Sequence, residues 1–130
     1  MKQYDPSDSM RCQAARVRGD ARELETRLRY GLSIAPNFHA KFSEMVEMAN
    51  KAKANGDYEG HRARLEDAEA ILELRDEMRQ RKFVNRRFEC VPGAVETLDR
   101  MIESLQRRAR ALDEQADKLD RERRFGKMAC

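Results

Sequence analysis

Few side chains in this chain are spaced for chemistry. The only histidines are His39 and His61, and neither stands at metal-ligand spacing from another His, a Cys or a carboxylate pair. Both read as surface or boundary residues. The cysteines Cys12, Cys90 and Cys130 are odd in number and far apart, which speaks against a disulfide framework and against a zinc site. Cys12 falls off the apolar line of its helix and reads as an idle thiol. No phosphate loop, dinucleotide fingerprint or nucleophile elbow occurs. Glu-x-x-His pairs, which a di-iron bundle requires, are also missing. The expectation is a non-enzymatic chain with no catalytic residue, no metal and no cofactor.

One segment does carry binding chemistry. From Arg79 to Phe88 there is no acid, and Arg79, Arg81, Lys82, Arg86 and Arg87 are interleaved with Phe83 and Phe88. Arginine and aromatic rings together are the composition of interface anchors. These seven residues form the expected partner-binding set, with the two phenylalanines as apolar anchors and the cations as steering and hydrogen-bonding groups. A second assignment of the same residues is structural. Phe83, Val84, Phe88, Val91 and Val95 could close a helical hairpin as a satellite core, with the arginines paired to Glu96, Asp99 and Glu103.

The elements that must hold this segment follow from apolar spacing. Val95, Leu98, Ile102, Leu105, Ala109, Leu112, Ala116 and Leu119 alternate in steps of three and four, an a/d seam over about four heptads. This places helix four at about 93–124, after Pro92-Gly93, with a short tail at 126–130. Asp5-Pro6 starts helix one, whose line Met10, Ala14, Val17, Ala21, Leu24 and Leu28 runs to about Tyr30 before Gly31. Helix two spans about 36–54 with Phe38, Phe42, Met45, Ala49 and Ala52 inward. Helix three spans about 57–87 with a wider stripe of Leu65, Ala68, Ile71, Leu72, Leu74 and Met78. The stretch Ala52–Leu65, with Asn55-Gly56-Asp57 at its turn, resembles the turn inside a tetratricopeptide repeat. Gly60 and His61 depart from that pattern and no second copy follows at a period of about 34 residues, so a simple αα-hairpin is the better reading.

Short connectors between four seams predict a single all-α domain, an antiparallel up-down four-helix bundle. Helix three carries basic, acidic and basic blocks, and helix four carries acidic, basic and acidic ones. Folding the chain at Cys90-Val91 therefore sets opposite charges together. Counting back from the Gly56 turn, Glu77–Glu103 should overhang helices one and two by ~18 Å as a projecting coiled-coil tip. The seam leucines of helix four also suggest a homodimer.

Composition agrees with a slim helical fold. Of 130 residues, 39% are charged and 6% aromatic, with no Trp, too little for a deep core. The net charge of +3 is too small to imply nucleic acid by itself. The expected role is a helical protein–protein interaction module: an adaptor, regulator or inhibitor of a cytoplasmic protein partner. The runner-up is a nucleic-acid binder using segment 79–87 and the tail cations Arg121, Arg123, Arg124 and Lys127. The thiol usage and a polar start suggest a reducing, cytoplasmic setting, and no apolar run approaches a membrane span.

Overall fold

The computed structural model describes the backbone of residues 5–128 and the side chains of residues 5–125. The chain is all-helical: α1 is Pro6–Ile34, α2 is Phe38–Ala54, α3 is Tyr58–Gln80 and α4 is Ala94–Met128. Among the described residues there is no strand, and the antiparallel bridge Val84–Cys90 is isolated.

Local chemistry accounts for most helix ends. Asp5 caps α1: its Oδ1 accepts the Ser7 N–H at 3.0 Å and the Ser7 hydroxyl at 2.9 Å, while Pro6 takes the first helical position. Gly31 does not stop α1 as the sequence suggests. The i→i−4 ladder runs on, Ala35 N–H donating to Gly31 O at 3.1 Å. Gly31 is instead where the buried Met78 side chain crosses, for a Cβ there would lie 2.9 Å from its sulfur. α1 thus takes residues assigned to the connector, and α2 starts at Phe38, past a cis Ala35–Pro36 peptide.

The α2–α3 turn is built by the residues that mark it. Gly56 adopts φ 78°. Its N–H donates to Lys53 O at 3.0 Å, and Asp57 N–H donates to Ala52 O at 2.9 Å, the paired bonds of a Schellman end. Asp57 Oδ1 then accepts the Gly60 N–H at 2.9 Å and caps α3. His61 Nδ1 donates to Ala49 O at 2.9 Å and ties the two helices together.

α3 ends at Gln80, short of the expected 87, and the reason is a second Schellman end with no glycine in it. Lys82 takes the left-handed position at φ 63°. Its N–H donates to Arg79 O and Phe83 N–H donates to Met78 O, both at 3.0 Å. Phe83 and Met78 occupy the two positions whose apolar side chains usually accompany such an end, and they are 1% and 0% exposed. Tertiary burial of Phe83 therefore overrides helix propensity. α4 in turn starts at Ala94, after Gly93 at φ 82°, and runs through Gly126 to Met128, so the expected tail at 126–130 is partly helix. Cys130 lies outside the described residues.

The chain divides into two compact units. In the first, residues 5–25 of α1 pair antiparallel with residues 97–128 of α4. Buried residues recur every seventh position: Ser7, Ala14 and Ala21 on α1, and Ile102, Ala109 and Ala116 on α4. Ion pairs fix the direction: Arg123 to Asp5 at 3.2 Å, Arg11 to Asp117 at 3.0 Å and to Asp120 at 2.5 Å, and Arg18 to Asp113. Asp113, Asp117 and Asp120 of α4 thus meet arginines of α1. Arg64 of the basic start of α3 pairs with Asp67 within α3. Block averages over solvated positions do not locate the seam.

The second unit, residues 26–96, holds the end of α1, α2, α3, the turn 81–93 and the first turn of α4. Its core is Leu28, Ile34, Phe38, Ala49, Ala68, Ile71, Leu74, Met78, Phe83, Val84 and Ala94. Leu65 and Val95, expected in the seams, are 40% and 49% exposed. Phe83→Ala should cost roughly 3–5 kcal/mol, the usual penalty for emptying a closed aromatic site. Lys82→Gly should stabilise by about 1 kcal/mol by relieving the left-handed backbone. Urea unfolding of both variants checks the pair of signs.

Candidate interaction surface

The expected binding segment becomes an ordered turn folded on its own unit. Asn85 organises it: its Oδ1 accepts the N–H groups of Arg87 at 2.8 Å and Glu89 at 3.1 Å, and its N–H donates to Glu89 O at 2.9 Å. Val91 N–H donates to Phe83 O at 2.9 Å and closes the loop. The turn does not overhang α1 and α2. Cys90 Sγ donates to Leu32 O at 3.5 Å, and the Phe88 ring meets Phe38 edge-on at 6.1 Å. With α3 ending at Gln80, the helical arm that would have projected is not formed.

Phe83, read from the sequence as an anchor, is a core residue with no ring to offer a partner. Phe88 is different. It is half-buried at φ 60°, a conformation costly for a bulky side chain, and is held there by Phe88 N–H donating to Asn85 O at 3.0 Å and by the Phe38 contact. The guanidinium carbons of Arg75 and Arg79 lie 5.5 and 5.7 Å from its ring centroid. Arg75 and Phe38 are the residues the sequence reading missed. Arg75 lies one turn before the basic run, at the i−4 position from Arg79, and Phe38 was counted only as a seam residue.

The cations around the ring differ in their partners. Arg81 Nε donates to Glu77 at 2.9 Å, and Arg27 donates to the same carboxylate at 2.7 and 2.9 Å. Arg75 lies 3.3 Å from Asp76. Arg79, Lys82, Arg86 and Arg87 are exposed and have no carboxylate within ion-pair distance among the described residues. Glu103, offered by sequence as a partner for this group, binds Arg107 at 2.6 Å. The turn and the end of α3 therefore present four cations without an ion-pair partner among the described residues, one of them over a strained, half-buried aromatic ring.

His39 is exposed, and Cys12 and Cys90 are exposed thiols. Among the described residues no group of three His, Cys, Asp or Glu could hold a metal ion, and no helix is long and apolar enough to cross a membrane. Arg121 and Arg124 are exposed on α4, Arg123 pairs with Asp5, and the side chain of Lys127 lies outside the described residues.

The Arg27 hydrogen bonds hold the Glu77 carboxyl below the ordinary glutamate range, with help from Arg81 and against the opposing effect of burial. A depressed folded-state pKa contributes stability at pH above the unfolded value, and that contribution is lost as pH falls through the folded value. Glu77→Gln should therefore cost under ~1 kcal/mol at neutral pH, because Arg27 is largely exposed, and cost less still at about pH 3. Urea unfolding of the two proteins at both pH values checks the sign. No family model matches this chain, and comparison with curated proteins and with solved structures finds no similar one.

Proposed function

We propose that this chain is a non-enzymatic, α-helical protein–protein interaction module, an adaptor, regulator or inhibitor of a cytoplasmic protein, that grips an acidic patch of its partner through the α3–α4 turn. The observation that carries the reading is the set Arg79, Lys82, Arg86 and Arg87 in and beside one turn, exposed and without an ion-pair partner among the described residues, with Arg79 over the half-buried Phe88 ring. Some surface cations of the chain are held by acids, as Arg11, Arg18, Arg27 and Arg107 are. A set that is not, in and beside a turn ordered by five internal hydrogen bonds, is preorganised for an external anion. Phe88 supplies the apolar anchor. Arg79, stacked on the ring, supplies a guanidinium whose rotamer freedom is already reduced. Phe83 supports the turn from within, and Arg81 ties its start to Glu77 on α3.

The reading takes the four helices as an antiparallel up-down set, with α3 and α4 as a hairpin carrying the turn at its end. Connectors of three residues between α1 and α2 and between α2 and α3 support that arrangement. A nucleic acid is the second reading, favoured by the same uncommitted cations and by Arg121 and Arg124.

One experiment separates them. The partner is identified by affinity capture, and its affinity is then measured by calorimetry for wild type, Phe88→Ala and Arg86→Ala. A protein partner predicts a loss of ~2 kcal/mol or more for Phe88→Ala, a smaller loss for Arg86→Ala, unchanged helicity and shallow salt dependence. A nucleic-acid ligand predicts affinity falling steeply with salt and comparable small losses at each cation. Wild-type affinity in both variants would leave the turn with a structural role only.

A further inference from the structure

We infer that a second copy of this chain docks on one face of the α1–α4 pair, which the sequence suggested only in part through the leucines of α4. The inference is independent of the α3–α4 turn. It rests on how the pair distributes its side chains. Along residues 5–25 and 97–128, the buried seam is Ser7, Ala14 and Ala21 on α1 and Ile102, Ala109 and Ala116 on α4, with Leu98 also buried. Four residues past the seam positions stand Arg11 and Arg18 on α1 and Asp113 and Asp120 on α4, joined by ion pairs. At 100° per residue these lie ~40° to one side of the seam, so that side of the pair is its ionic face.

Three residues past the seam, ~60° to the other side, stand Met10, Val17 and Leu24 on α1 and Leu105, Leu112 and Leu119 on α4. In an antiparallel pair, equivalent positions of the two helices fall on one face, as the ion pairs demonstrate for the opposite one. All six are half-buried. Alanines fill the seam at 14, 21, 109 and 116, with the larger Leu98 and Ile102 buried toward the start of α4, and these six large apolar side chains flank it. They line a stripe along the face opposite the ionic one.

The edges of this face identify its occupant. Asp20 and Arg108 each precede a seam alanine by one residue, which swings them 100° to the apolar side, one on each helix. Both are exposed, and neither has an ion-pair partner among the described residues. They stand level with each other in the register set by Arg11 and Asp117. A second copy, turned about an axis parallel to the helices, lays its α1 on this α4 and its α4 on this α1. Each Asp20 then meets Arg108 of the second copy, twice by symmetry, while the six apolar side chains face their own kind. Opposite charges at equal height on opposite edges make the face complementary to itself.

Sedimentation equilibrium of the full chain at ~10–100 μM tests this, and the expected mass is twice 15.2 kDa. A mass of 15.2 kDa throughout that range overturns it. Leu112→Ala, an anchor removed from both copies, should weaken the dimer on the order of 100-fold with helicity retained. Asp20→Arg and Arg108→Asp should each weaken it roughly tenfold, and the double reversal should restore it. The two reversals lie on exposed positions and decide the matter even if Leu112→Ala unfolds. A dimer indifferent to Leu112→Ala and to both reversals places the contact elsewhere and overturns the inferred face.

Discussion

The burial of Phe83 beneath the end of α3 is the constraint on which the rest of this surface depends. Its ring and Met78 close the contact that stops the helix, and the stop forces Lys82 into the left-handed region. Every later feature of the turn inherits that geometry. Val91 reaches back to Phe83 O, Asn85 bonds across the loop, and Phe88 is set at φ 60° with its ring against Phe38. Had α3 continued, Arg86 and Arg87 would lie along a helix, spread over more than one face. The stop puts them instead in the turn that Asn85 orders, next to Phe88 in the chain.

Strain and charge act together there. A phenylalanine at positive φ is disfavoured on its own, and it persists because hydrogen bonds and ring contacts over-determine it. The guanidiniums of Arg75 and Arg79 stabilise the ring's face and are positioned by it. Arg75 and Arg81 have acids of their own, while Arg79, Lys82, Arg86 and Arg87 do not. The acid-free run in the sequence thus becomes a local excess of positive charge, in a chain whose basic and acidic groups otherwise nearly balance.

A different logic governs the α1–α4 pair. Alanine every seventh residue is what α1 and α4 bury along most of their length, with Leu98 and Ile102 buried near the start of α4. Other large side chains lie on one flank and the arginine–aspartate pairs occupy the other. Exposed pairs of this kind add little stability, but they set direction and register. One helix pair therefore has two unlike faces.

How much of this was legible in the residues themselves can be read element by element. The sequence alone determined that the chain is helical, that helices begin at Asp5-Pro6 and Asp57, that one ends at Asn55-Gly56, and that Arg79–Phe88 carries uncompensated charge. Those follow from heptad spacing, capping side chains and a glycine free to take positive φ, all of which act within a few residues. Only the tertiary structure decided that α3 stops at Lys82, because a lysine carries no local signal for a left-handed turn and the cause is the burial of Phe83. Only the tertiary structure separated Phe83 from Phe88, two rings five residues apart and alike in sequence, into a core residue and a surface one. It also decided that alanines, rather than leucines, sit at the centre of the α1–α4 seam, since a/d spacing names the positions that face a partner but not how closely that partner comes. In each case the deciding contact joins residues distant in sequence or fixes which of two similar side chains is enclosed, and neither is encoded in spacing along one helix.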